Sequence, residues 1–254
     1  MCLINFAYKC HPQFDLILAA NRDEFFIRPT EQAGYWTEFP GLIAGKDLEQ
    51  GGTWLGITTN GKIAALTNYR EVREKSNEKS RGGLVLDYLK SEIDPVEYLK
   101  IVKEFKDNYL GFNLLSGTVE DLYYFSNREN VIRKLEPGIH SVSNALLNTS
   151  WPKVERGKTL IEQAIKEEQG DLVARLLASL TNDEKAEEQY LPNTGVGLEL
   201  EKQLSSVFIN MGGYGTRCST VVTISKSKQV TFCERTYVEG QDTYDDRSFA
   251  FTIK

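Results

Sequence analysis

The chain has 254 residues, 41% of them hydrophobic, and 30 Lys plus Arg stand against 36 Asp plus Glu for a net charge of -6. That length supports one large core without staples, so a single domain over residues 1–254 is expected. The acidic balance argues against nucleic-acid binding, and no apolar run reaches the ~18 residues that a membrane span needs. Cys2, Cys10, Cys218 and Cys233 are too scattered for a metal knuckle, and with only His11 and His140 no zinc-ligand spacing exists, so neither metal nor cofactor is expected. The start carries no secretory or transit pattern, which with unpaired thiols makes the cytosol the expected compartment.

Cys2–Tyr8 and Phe14–Ala20 are apolar runs separated by turn material at His11-Pro12, an opening hairpin. Leu42–Gly45, Thr53–Thr59 and Lys62–Thr67 follow as short strands, and the Asn60-Gly61 step between the last two is a strong hairpin signal because both residues tolerate positive φ. Gly83–Leu89 and Val96–Phe105 have helical spacing, the second opening on Asp94-Pro95 as cap and first-turn proline. Tyr109–Ser116 and Leu122–Ser126 return to strand character, and Val154–Glu168 and Leu172–Leu180 give two further helices. The polar, turn-rich segment from Asn182 to Leu200 reads as a surface excursion, a candidate rim or lid over a cleft. Ser206–Met211, Ser219–Ser225 and Gln229–Tyr237 are the closing strands. The order of strands, two helices, strands, two helices, strands fits an α+β fold with sheets between helical layers.

Cys2 is the first chemical signal. If Met1 is removed, a thiol and a free amine share one residue, with ordinary pKa values of about 8.5 and about 7.7–8.0, so the nucleophile brings its own base. Asn21-Arg22-Asp23-Glu24 follows the apolar run of the second strand, and antiparallel pairing returns it beside Cys2. There Asp23 or Glu24 could accept from the amine, and Arg22 could favour the thiolate. Acyl transfer also needs oxyanion donors, and Asn68 and Asn144 each end a strand in a polar turn. Arg217 follows the glycine-rich bend from Gly212 and is the cation at a candidate cleft mouth. Gly51-Gly52-Thr53-Trp54-Leu55-Gly56 lacks a following Gly-Lys-Ser/Thr and leads into a strand, so it is not read as a phosphate loop.

Together the Met1-Cys2-Leu3 start, Asn21–Glu24, Gly51–Gly56, Leu66–Arg70, Ser143-Asn144, Trp151-Pro152-Lys153 and Gly215-Thr216-Arg217 make the chain resemble the NRDE family, also called the transport and Golgi organisation 2 family. That family is in turn similar to N-terminal nucleophile hydrolases of the bile-salt hydrolase and penicillin V acylase type. The resemblance implies an αββα sandwich of two antiparallel sheets between helical layers. It implies Cys2 as nucleophile, Asp23 as its acidic partner, a backbone donor near Asn68, a side-chain donor at Asn144 and a cleft arginine at Arg217. Those acylases place the aspartate of the second strand three positions after its arginine, whereas Arg22 and Asp23 adjoin here, which leaves the role of Arg22 and the choice between Asp23 and Glu24 open.

Two functions compete. The first is hydrolysis of a linear amide or related acyl bond of a small molecule through a Cys2 thioester, conditional on loss of Met1. The second is a non-enzymatic carrier of an apolar ligand, an acyl lipid or haem, which fits the family's link to lipid metabolism and haem trafficking. Trp36, Trp54, Phe208 and Tyr214 would line its pocket, although no haem-attachment motif supports His11, His140, a cysteine, a tyrosine or Met211 as a ligand. A structural adaptor without a concave site near Cys2 is a third reading.

Overall fold

Alternation of apolar residues sorts the strands into sheets with two covered faces. The computed structural model describes residues 2–72, 78–241 and 243–254. Strands β1 (Cys2–Tyr8) and β2 (Phe14–Phe25) form the expected opening hairpin, in register from Cys2 opposite Arg22 to Tyr8 opposite Leu16. The chain then builds one antiparallel sheet in sequence order from β3 (Thr30–Trp36), β4 (Phe39–Asp47), β5 (Leu55–Thr58), β6 (Ile63–Asn68), β7 (Phe112–Gly117), β8 (Leu122–Ser126) and β9 (Ile132–Lys134). Gly61, at φ 87°, supplies the positive φ that the turn between β5 and β6 requires. Strands β10 (Gly138–Val142), β12 (Tyr214–Ser225), β13 (Gln229–Tyr237) and β14 (Tyr244–Thr252) return to the first hairpin in the order β10-β1-β2-β12-β13-β14, with short β11 (Asn210–Met211) on β12.

Ile4, Phe6 and Tyr8 of β1, with Leu16, Leu18 and Ala20 of β2, face the other sheet and pack with Leu55, Ile57, Ile63, Leu115 and Tyr124. The intervening residues Leu3, Ala7, Ile17 and Ala19 face outward onto α3 (Pro152–Lys166) and α4 (Leu172–Ser179), through Val154, Ile161, Leu176 and Leu177. On the far side, Leu42, Ala64, Leu66 and Leu114 meet Leu84, Val85 and Leu99 of α1 (Gly82–Lys90) and α2 (Pro95–Glu104). The layers are therefore helix, sheet, sheet, helix, the αββα sandwich expected. Period-two alternation places each strand's odd and even residues in different cores. The Asp94 side chain caps α2, accepting from the Val96 amide at 2.9 Å with Pro95 in the first turn.

Three expectations change. The second strand does not end with the apolar run at Ala20: Asn21–Glu24, which closes it, lies inside β2, because β1 and β12 pair with β2 on both sides and the ladder continues through polar residues. Only Asn210 and Met211 of the expected Ser206–Met211 strand are extended, Val207 and Ile209 being buried by a bend. The excursion from Asn182 to Leu200 holds a turn of 3-10 helix at Glu188–Tyr190 and the start of α5 (Leu198–Gln203). It is pinned by Ala186 N–H donating to Ser205 Oγ at 2.8 Å and Thr194 N–H donating to Glu201 Oε1 at 2.8 Å. None of its residues borders the cleft at Cys2 described next.

Candidate active site

Cys2 starts β1 on the face shared with Ile4 and Phe6, so its sulfur points between the sheets rather than into the helices. It opens there onto a cleft of about 350 Å³, with Arg22, Asp23, Glu24, Arg28, Trp54, Asn68 and Arg81 among its walls. The strand end is anchored by Ser143, whose hydroxyl donates to the Cys2 carbonyl at 2.9 Å. Burial raises the Cys2 thiol above its ordinary value and the Asp23 charge adds to this, whereas the Arg22 charge and a hydrogen bond with the Asp23 backbone lower it.

Arg22 lies directly opposite Cys2 on the same face, stacks 4.3 Å from the Trp54 ring centroid, and donates from Nη1 to Thr30 Oγ1 at 3.2 Å. This gives Trp54 of the Gly51–Gly56 motif a role in the cleft wall, where it holds a buried guanidinium beside the thiol. Asp23 projects to the opposite, helix-facing side, and continuing the register sets it across from the amino end of Cys2. Its Oδ1 accepts from the Thr216 hydroxyl at 2.8 Å, and burial raises its pKa against the opposing effects of Lys153, Thr216 and Arg70. Asn21 on that same side is structural: its Nδ2 donates to the carbonyls of Leu180 and Val207 at 2.9 and 3.0 Å, joining β2 to the helical layer. Glu24 caps the Phe25 amide at 2.9 Å and lies near Arg28 at the rim.

Asn68 ends β6 at the cleft wall. Asn144 is fully buried and lies behind Asn68 rather than on the wall; its Nδ2 donates to the Asn68 carbonyl at 2.9 Å and its Oδ1 lies 3.1 Å from the Ser143 hydroxyl oxygen. Arg217 lies outside the cleft, at a bulge in β12 where Thr216 pairs with Asp23 and Cys218 with Arg22. Its Nη1 donates to the carbonyls of Phe25 and Arg28 at 2.9 Å each, which ties down the turn that carries Arg28. The structure thus brings Cys2, Arg22, Asp23 and Asn68 to one cleft and sets Asn144 and Arg217 one layer behind it.

The aromatic residues proposed for an apolar pocket do not gather in one. Trp36 is buried and donates from Nε1 to the Ala44 carbonyl at 3.1 Å, Phe208 packs on Tyr237, and Tyr214 packs on Phe25. His140 stacks on Phe6 and His11 lies by Phe14, and neither borders the cleft at Cys2.

Sequence reasoning assigned no role to Lys153, Arg70 or Arg81. Lys153, in the first turn of α3, is fully buried and donates from Nζ to the Leu204 carbonyl at 3.4 Å. Burial lowers its pKa to about 8, opposed by Asp23. Arg70 is buried in an ion pair with Glu201 and lies 5.0 Å from the Trp151 ring centroid. A lysine two residues after a tryptophan and one after a proline reads as a helix start, and nothing local reveals that the helix brings its charge close enough to act on Asp23.

The layered sandwich matches solved structures at low sequence identity. A variant of the conjugated bile acid hydrolase from Clostridium perfringens superposes with a TM-score of 0.50 at 10% identity, over 98% of this chain and 96% of that one. The N-acylethanolamine-hydrolyzing acid amidase orthologue of Caenorhabditis elegans gives 0.45 at 10% identity, over 87% and 92%. The fold is N-terminal-nucleophile-hydrolase-like, and Cys2 starts an inner strand of it.

Sequence narrows this further. The chain belongs to the Transport and Golgi organisation 2 family, whose profile matches residues 1–239. It is 39% identical to the Bos taurus Transport and Golgi organization protein 2 homolog over 96% of this chain and 95% of that protein. The Homo sapiens homolog is 36% identical over the full length of both, and the Drosophila melanogaster protein 30% over 97% and 95%.

Proposed function

We propose that the protein is an N-terminal-cysteine hydrolase that cleaves an amide or related acyl bond of a small polar molecule. The observation that carries this reading is the placement of the Cys2 sulfur in a charged cleft, with Arg22 on the neighbouring strand favouring the thiolate. Once Met1 is removed, the Cys2 amine takes the thiol proton and the sulfur bonds to the acyl carbon. Asn68 is the donor this reading assigns to the oxyanion, and Asn144 supports it from behind by donating to the Asn68 carbonyl. The carbon–nitrogen bond then breaks, the leaving amine takes the proton back from the Cys2 ammonium, and water hydrolyses the thioester to the acid and the free thiol. Asp23 holds the amine in place. All four cysteines are unpaired, which suits the cytosolic setting this reading assigns to the reaction. Removal of Met1 concerns a position outside the described residues.

The cleft favours hydrolysis over apolar carriage because charged side chains, Arg22, Asp23, Glu24, Arg28, Asp47 and Arg81, border it. Intact-mass measurement of native protein, with and without an electrophilic acyl probe, tests the proposal. Loss of Met1 and a single adduct that disappears in Cys2→Ala are expected; retained Met1, or equal labelling of the variant, would overturn it.

A further inference from the structure

Arg81 immediately precedes α1 and borders the same cleft as Cys2. One of its guanidinium N–H groups donates to the Gly111 carbonyl at 3.0 Å, and among the described residues it forms no ion pair. Two other cleft cations, Arg28 and Arg22, are otherwise engaged, and Lys79 borders the cleft as well. Arg28 is bound by Asp47 at 2.7 Å, with Glu49 at 3.3 Å and Glu24 at 3.9 Å, and Arg22 is held by Trp54 and Thr30. Glu71, an acidic neighbour of Arg81, is in an ion pair with Arg128. Once Cys2 is ionised, its thiolate is the charge that acts most strongly on Arg81. A guanidinium stays charged at any working pH, and its planar fork matches a carboxylate or phosphate.

Its position is fixed by backbone contact. The Thr53 amide donates to the Gly82 carbonyl at 3.3 Å, and a Cβ on Gly52 would lie 2.5 Å from the Gly82 carbonyl carbon, so only glycine lets the Gly51–Gly56 motif seat the start of α1 at the cleft. The motif read as unsuited to a phosphate loop thus presents a cation beside the nucleophile.

We propose that Arg81 is the specificity-determining residue of the Cys2 cleft and that the substrate bears an anionic group, carboxylate or phosphate, gripped by Arg81 while Cys2 attacks the nearby acyl carbon. This rests on Cys2 being the nucleophile. Three chloroacetyl probes of matched size test it on mature protein: N-chloroacetylglycinamide, N-chloroacetylglycine and N-chloroacetylaminomethylphosphonate. In each, the Cys2 sulfur bonds to the methylene carbon and chloride leaves, so no hydrolysis is required. Labelling rates are read by intact mass and normalised to glutathione.

At least one anionic probe is expected to label Cys2 about tenfold faster than the neutral one, and the faster of the two identifies carboxylate or phosphate as the preferred group. The anionic-to-neutral ratio should fall toward one in Arg81→Gln and be partly kept in Arg81→Lys. Should Arg81→Gln fail to fold, raising salt to about 1 M, where the screening length is about 3 Å, should collapse the ratio in the unaltered protein. Labelling by the neutral probe without anionic preference, or a preference that survives Arg81→Gln, overturns the assignment and leaves the nucleophile standing. Failure of all three probes to label Cys2 overturns the nucleophile reading, and this proposal with it.

Discussion

Asp23 carries a negative charge into a fully buried position, and the groups around it decide whether it keeps that charge. Lys153 from α3, Arg70 from the segment after β6 and the Thr216 hydroxyl from β12 all favour the carboxylate, Tyr214 of β12 donates to the Asp23 carbonyl at 3.2 Å, and Glu201 of α5 offsets Arg70. Burial still wins, and the folded pKa lies above the unfolded value of about 3.9. In that window the native state binds more protons than the unfolded chain, so this group's contribution to stability falls as pH rises from about 3.9 through the raised folded value. Removing the Lys153 charge raises the folded value further and widens the window. Relief of the burial cost of the Lys153 ammonium offsets part of this loss at both pH values, so Lys153→Met should lower stability more at pH 7.5 than at pH 5, read from urea unfolding of both proteins at each pH. An equal loss at the two pH values would show that Lys153 contributes packing alone.

At the scale of elements, the cleft depends on how closely the turn before β5 meets α1. Gly52 touches the Gly82 backbone, which cannot yield as a side chain can, whereas a Cβ on Gly51 meets nothing within 4 Å and is opposed only by its φ of 74°. Gly52→Ala should cost about 1–3 kcal/mol by overpacking and slow Cys2 labelling because the start of α1 is displaced. Gly51→Ala should cost about 1 kcal/mol by backbone strain and leave labelling alone. Equal labelling in the two variants would detach this contact from the cleft.

Across the whole molecule, the β14 edge and the site lie apart. Strand β14 covers the outer edge of β13, and Phe249, Phe251 and Ile253 pack half-buried on the core between the sheets. Removing residues 243–254 should lower stability by roughly 3–6 kcal/mol, about 1–2 for each of the three apolar side chains lost, while Cys2 labelling persists, as denaturation and intact mass would report. Loss of labelling in a still-folded truncation would link this edge to the cleft.

The same geometry separates what could be read from residues from what could not. The strands legible in sequence, β1, β2, β4 to β8, β12 and β13, are interior strands whose two buried faces demand continuous apolar runs. Strands β3, β9, β10 and β14 are edges of the two sheets, paired on one side only and carrying polar sequence, so local pattern did not mark them. Turn chemistry at Asn60-Gly61, the Asp94-Pro95 helix start and the thiol at Cys2 follow from residue type, and the sequence alone determined them. Which cation faces Asp23, which asparagine lies behind the cleft wall, and that Arg217 braces a turn while Arg81 faces the cleft depend on β2 being flanked by β1 and β12 and on α1 docking against Gly52. Those contacts join residues 52 with 82 and 23 with 153 and 216, separations over which local preference carries no information, so only tertiary packing decided them.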